Sequence, residues 1–424
     1  MTAGIRSGGR LAMSMCAVAA LAVPAAAQVD QQRARMYFNE AAAICERDGA
    51  RLWGVSLCGP MVFGDLRTRT IATSQPPPTG ERPTSVGSVN APIEWAGERW
   101  AAYIWDFITP LDDRRLRGEF MLHELFHRIQ PQLGLITRNG QNEHLDTVDG
   151  RYWLQLEWRA LAQALRLSGN TGTRALRDAL AFRQTRRTLF PNAAENERLD
   201  EIREGLAQYT GTVVSATSAA DAAASALDQL AAAEKQETFV QTFAYTSGVA
   251  YGVLLDTWSR DWTRRVQATS DLGQMLTTAS GIQPAENAAA AAAQYGGTAL
   301  RAAEEKRDEQ RKALVRELRA RFVEGPVLLV PSGGGGTFDA RRATPIPGNG
   351  TVYFSSYRVK GEWGSLEATN GVLVSTDRTK SVPAPVRIDG TVLTGDGWTV
   401  TLAPGWIVRS GPRPADYQIV REAR

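Results

Sequence analysis

The sequence predicts an α+β protein with its helices gathered in the middle. Three observations carry this. Residues 109–323 repeatedly place apolar side chains at i, i+3, i+4 and i+7, the period of a helix buried on one face. Residues 326–424 switch to short β-type runs punctuated by Gly, Pro and Asn. Residues 28–108 mix one helical stretch with short strands. The expected organisation is a signal peptide over 1–27, a small mixed α/β part over 28–108, a mostly helical part over 109–325 and a small all-β domain over 326–424.

The first segment is read from its three-part pattern. Arg6 and Arg10 make a basic start, Leu11 to Val23 is apolar except for Ser14, and Pro24 precedes Ala25-Ala26-Ala27. That is a secretory signal peptide, cleaved near Ala27-Gln28. Its apolar run is short for a bilayer span, and Cys16 lacks the small residues of a lipobox. No later stretch offers 18 apolar residues free of charge. The mature chain is therefore expected to be exported, periplasmic or secreted, with no membrane span. Lys and Arg number 48 against 45 Asp and Glu, a net charge of +3 with no basic block. That spread gives no footprint for nucleic acid. Cys45 and Cys58 either pair in an oxidising compartment, closing a short loop, or stay free and buried. Oligomeric state has no signature.

Along the chain, Gln31 to Arg47 reads as helix, and Leu52 to Thr70 as short strands around Gly59-Pro60. A Pro-rich loop follows from Gln75, and then a hairpin from Ile93 to Ile108 with its turn near Gly97. Thr109 is expected to cap a helix with Pro110 in its first position and Asp112 and Asp113 in its first turn. Further helices are expected near 150–167, 174–188, 195–215, 218–235, 246–266 and 284–323. The alanine runs at 218–226 and 288–293 favour helix and suggest no site. Ser332 and the four glycines after it read as a linker or loop. They lack the G-K-[ST] ending of a phosphate-binding loop.

The stretch His123-Glu124-Leu125-Phe126-His127 carries the chemistry. The chain has three histidines in all, and two of them stand at i and i+4, on one helix face, where both imidazoles can reach one metal ion. Glu124 lies beside that metal, placed to take a proton from water. Leu122, Leu125, Phe126 and Ile129 supply the core-facing stripe. A catalytic zinc needs three protein ligands and an open position. His144 and Asp146 follow in a polar loop, where Asp146 also fits an N-cap. Glu157 sits within an apolar helix face, so it needs a metal or a cation such as Arg183 or Arg203. Glu204 lies opposite the stripe Leu199, Ile202, Leu206, Tyr209 and Val213. It shares a face with Ala207, Gly211 and Ser215, small residues that let another helix come close.

The pair His123-Glu124-Leu125-Phe126-His127 and Glu204-Gly205-Leu206-Ala207-Gln208-Tyr209 resembles the gluzincin metallopeptidases, distantly the M1 aminopeptidases and bacterial collagenases with their E-G-x-A-x-Y segment. The resemblance implies a zincin-like, mostly helical catalytic domain. It also implies His123, His127 and Glu204 as Zn²⁺ ligands and Glu124 as general base. Tyr245-Thr246-Ser247-Gly248 is similar to the Y-x-x-G segment of the M1 enzymes, which implies an oxyanion role for Tyr245. A G-A-M-E-N segment is absent, so M1-type exopeptidase activity is not implied. Glu157 stays as the alternative third ligand. The expected function is an exported zinc-dependent metallopeptidase acting on peptides or proteins. The alternatives are a non-catalytic zincin-like envelope or binding protein and a zinc hydrolase of a non-peptide amide.

Overall fold

The computed structural model describes residues 28–66, 68–338 and 342–422. The predicted signal peptide lies outside the described residues. The class is α+β, and packing divides the chain after Gly297 into two units. Among the described residues no helix is long and apolar enough to cross a membrane.

The first unit opens with α1 (Gln31–Asp48), whose N-cap Asp30 accepts from the backbone N–H of Gln32 and Arg33. A four-stranded sheet follows: β1 (Met61–Gly64), β2 (Ile71–Thr73), β3 (Ala91–Trp95) and β4 (Glu98–Ile104), in the order β2-β1-β4-β3. β1 and β4 run parallel, and the other neighbours are antiparallel. β3 is an edge strand. Its hairpin with β4 turns at Ala96 and Gly97, both at positive φ (50° and 80°), as a two-residue turn with matching twist demands. Phe38 of α1 stacks on Phe63 of β1 with ring centroids 4.7 Å apart, which fixes the helix to the sheet. A disulfide between Cys45 and Cys58 (Cα–Cα 5.2 Å) ties the end of α1 to the approach to β1. The paired alternative for these cysteines is the observed one.

The short α2 (Trp105–Ile108) leads to α3 (Arg114–Ile129). Here the structure differs from the sequence expectation. The cap of α3 is Asp113, whose carboxylate accepts from Arg115 and Leu116 N–H, and Thr109-Pro110 lies in the preceding turn. The carboxylate is the stronger acceptor for the orphan donors of a first turn. Leu122, Leu125, Phe126 and Ile129 are fully buried. The remaining helices are α4 (Val148–Arg166), α5 (Gly169–Leu189), α6 (Ala193–Asp200), α7 (Leu206–Ser215), α8 (Ala219–Ala233), α9 (Phe243–Trp258), α10 (Leu272–Ser280) and α11 (Ala288–Ala292). α6 and α7 are one rod joined by a π turn, Glu201–Gly205, in which Leu206 N–H reaches back five residues to Glu201 O.

A charge cluster is buried where α4, α5 and this rod meet. Arg183 donates to both oxygens of Glu201 (2.7 and 2.5 Å) and to Asp271 (3.1 Å). Arg186 grips Glu197 with two bonds (2.8 and 2.9 Å) and also bonds Glu157. Arg187 joins Glu197 and Asp271 (2.7 and 2.5 Å). Such groups are tolerated in a core only when every charge is paired. Burial pushes the Glu197 carboxyl up, but Arg186 and Arg187 outweigh it and hold the group well below the usual range. Asp271 is likewise opposed by burial and held down by Arg183 and Arg187. Glu201 moves the other way, because burial outweighs Arg183.

The second unit opens at Thr298, within α12 (Gly297–Arg319), which runs on into a π turn at Ala320–Glu324. Its strands form a six-stranded and a seven-stranded sheet. Trp363, Leu366, Trp398 and Val400 are among the core between them. Leu318 and Phe322 pack on Ile346, Val352 and Leu373. The expected boundary at 326 marks where strands begin, whereas packing groups α12 with the sheets. The glycine run after Ser332 enters a strand, Gly335–Thr337, paired to Tyr357–Gly361. A Cβ on Gly336 would lie 2.0 Å from Arg358 O, so the run serves close strand approach.

Replacing Cys45 and Cys58 together by Ser is expected to cost about 3 kcal/mol, the scale for so short a loop, read from urea unfolding. Acid is expected to weaken the fold as well. The depressed carboxyls of Glu197 and Asp271 contribute stability that is full above the unfolded carboxyl range near ~4. It is lost as pH falls toward their folded values, with Glu201 offsetting part. The urea midpoint should drop between pH 6 and pH 3, and an unchanged midpoint would contradict the paired cluster.

Candidate metal centre

α3 presents His123 and His127 on one face because four residues make just over one turn. The π turn presents Glu204 to the same point. His123 Nε2 and His127 Nε2 are 3.1 Å apart, and Glu204 Oε2 lies 3.3 Å from each. Among the described residues these three form the group of His, Cys, Asp and Glu side chains whose ligand atoms converge. Tetrahedral coordination at ~2.0–2.2 Å sets neighbouring donors roughly 3.3–3.5 Å apart. The triangle therefore fits three corners of such a shell.

The helices reach this spacing through small residues. A Cβ on Gly211 of α7 would lie 2.2 Å from Glu119 O of α3. A Cβ on Gly248 of α9 would lie 2.3 Å from Gly205 Cα in the π turn. No larger side chain fits either crossing without moving a backbone. The glycines of the Glu204-Gly205 and Tyr245-x-x-Gly248 segments thus meet each other, and their contact brings Tyr245 beside Glu204.

Two glutamines that the sequence reading passed over orient the imidazoles. His127 Nδ1 lies 2.8 Å from Gln130 Oε1, while Gln130 Nε2 donates to Ile202 O and Arg203 O at 3.0 and 3.2 Å. Those carbonyls accept only, so the Gln130 oxygen must face the histidine and receive its Nδ1–H. The Nε2 lone pair then faces His123 and Glu204, where it could serve a metal ion. His123 Nδ1 lies 3.1 Å from Gln208 Oε1. The available signal was an amide at i+3 from His127 and another at i+4 from Glu204. Glu204 Oε1 accepts from Arg203 at 2.5 Å, which leaves Oε2 toward the histidines. Burial raises the Glu204 carboxyl, and its bonds to His123 and His127 pull it well below the usual range.

Glu124 is buried beside this triangle, and its Oε2 has no hydrogen-bond partner. Burial lifts its carboxyl above the ordinary value, against the pull of His123 and His127. The Tyr245 ring lies parallel to His123 with centroids 5.5 Å apart. Burial, and then the charge of Glu204, push its hydroxyl well above the usual phenol range. A cavity of about 350 Å³ opens on these groups. Asn90, Ala91 and Pro92 at the start of edge strand β3 form one wall, and Arg99 and Arg203 also line it.

The other sequence candidates lie elsewhere. Glu157 accepts from Arg183, Arg186 and Tyr251 in the buried charge cluster (Tyr251 at 2.7 Å), the cation-paired reading of that residue. His144 Nε2 bonds Glu197 at 2.9 Å in the same cluster. Asp146 accepts from Phe239 N–H and the Thr238 hydroxyl, and Thr147 is the N-cap of α4.

Comparison with protein-family models, with curated proteins and with solved structures finds no match.

Gln130→Ala leaves His127 free to adopt either tautomer. It is expected to weaken metal affinity about 10–100-fold, measured by chelator competition, and to lower the unfolding midpoint modestly through the loss of its two bonds to main-chain carbonyls. An unaltered affinity would remove Gln130 from the site.

Proposed function

We propose that this protein is an exported zinc metallopeptidase of zincin-like fold. One observation carries the reading: a buried carboxylate with an unpartnered oxygen, Glu124, stands beside three converging ligand atoms at the floor of a cavity. A purely structural metal site has no use for such a base. The two imidazoles and one carboxylate are a donor set suited to catalytic zinc, held by His123, His127 and Glu204.

Zinc, when bound, supplies an acidified water and polarises the scissile carbonyl. Glu124 would hold the proton released by an attacking water and pass it to the departing amine. Its raised proton affinity suits both steps, since a base must later act as an acid. Tyr245 keeps its proton at neutral pH and donates from its hydroxyl to the developing oxyanion. Arg203 holds the second oxygen of Glu204. β3 borders the cavity as an edge strand, so an extended peptide can align along its free backbone groups, an inference by analogy of fold. Export is supported by the N-terminal sequence pattern and by the Cys45–Cys58 bond, which persists in oxidising compartments.

Zinc content and peptide cleavage of the mature protein test this. Glu124→Gln should keep its zinc and lose at least ~10²-fold in kcat. Glu204→Gln should lose zinc. Tyr245→Phe should lower kcat about 10²-fold with KM little changed. Wild-type protein that binds no zinc and cleaves nothing overturns the proposal. Zinc with cleavage of simple amides alone turns it toward a non-peptide hydrolase.

A further inference from the structure

His123 is held by Gln208, and Gln208 is itself held. Its Nε2 lies 3.4 Å from Gln229 Oε1 on α8. Gln229 Nε2 lies 3.2 Å from Ser225 Oγ and 3.1 Å from Thr212 Oγ1. Ser225 Oγ lies 2.9 Å from Glu119 Oε1, and Arg115 Nη1 lies 2.6 Å from that same oxygen. Glu119 and Ser225 are buried.

The direction of every bond in this chain follows from its far end. Arginine only donates, so Glu119 Oε1 is an acceptor. The Ser225 hydroxyl hydrogen must then point to Glu119, which leaves Ser225 Oγ to accept. Gln229 must turn its NH₂ toward Ser225 and its oxygen toward Gln208. Gln208 must turn its NH₂ toward Gln229 and its oxygen toward His123. An oxygen facing His123 Nδ1 requires that nitrogen to carry the proton. The other tautomer would set two lone pairs against each other and aim a hydrogen into the ligand triangle.

Resting on the metal-site reading above, we propose that Glu119 is a positioning residue for the metal centre. Through Ser225, Gln229 and Gln208 it selects the His123 tautomer whose Nε2 lone pair faces the ion. His127 is set separately, by Gln130 and main-chain carbonyls. The Nδ1 sides of the two ligands are therefore held from different elements, and Ser225 and Gln229 of α8, an alanine-rich helix, hold one of them.

The test reads tautomers directly in metal-free protein labelled with ¹⁵N-histidine, at a pH where both imidazoles are neutral. The wild type should show His123 protonated at Nδ1. Ser225→Ala and Glu119→Leu, which removes the acceptor, should each give a mixture of tautomers at His123 while His127 stays unchanged. Each should also weaken zinc binding about tenfold by chelator competition. Ser225→Thr, which keeps the hydroxyl, should restore both readouts. A single Nδ1–H tautomer in Ser225→Ala with wild-type zinc affinity overturns the proposal, and so does a change in His127 equal to that in His123. Ser225→Ala keeps the test intact if Glu119→Leu fails to fold. Neither readout depends on peptide cleavage, so the result stands apart from the peptidase proposal.

Discussion

The helix bearing the two histidines and the rod bearing Glu204 touch backbone to backbone, and most of the first unit is arranged around that approach. Gly211 lies against the main chain of Glu119, and Gly248 lies against Gly205. Imidazole and glutamate side chains are short, so three of them meet at one point only if their helices lie unusually close. Glycine at each crossing allows that distance. Side chains of ordinary size would hold helix axes about 8–10 Å apart and leave the ligand atoms without a common centre.

The rod from Ala193 to Ser215 also separates two polar interiors with opposite requirements. On one side the carboxylates of Glu197 and Glu201 are each paired with arginines. On the other side Glu124 keeps an oxygen without a partner, and the imidazole Nε2 atoms face a shared point. The contrast distinguishes carboxylates that hold the fold from those available for chemistry. Burial alone does not, because Glu157 and Glu124 are both deeply buried.

Part of this was legible in the sequence. Local spacing placed His123 and His127 on one face, and the small residues around Glu204 announced a close helix crossing. The same face analysis marked Glu157 as a carboxylate in need of a partner without showing whether that partner was a metal or a cation. The partner turned out to be arginines on α5 that no local pattern ties to it. Gln130, Gln208 and Ser225 were invisible for a similar reason. An amide or hydroxyl on a helix is an ordinary solvated residue until tertiary packing sets a histidine or a carboxylate against it. The cap of α3 was misplaced because Thr109-Pro110 is a good local start signal, while Asp113, four residues on, has the stronger acceptor. The π turn leaves no mark in the periodicity at all.

That turn has a consequence for how the chain tolerates change in length. A π turn is an α-helix carrying one surplus residue, and residues on its two sides are rotated by about 100° relative to an uninterrupted helix. Glu197 and Glu201 are fitted to the arginines on one side of the surplus, and Gln208 and Gly211 to α3 on the other. Deleting a single residue between 201 and 205 would let the rod relax to regular geometry, yet one half would have to turn away from its partners. The surplus residue acts as a phase shift between two fixed surfaces, so this short stretch is closed to deletion even though each of its neighbours is an ordinary helix.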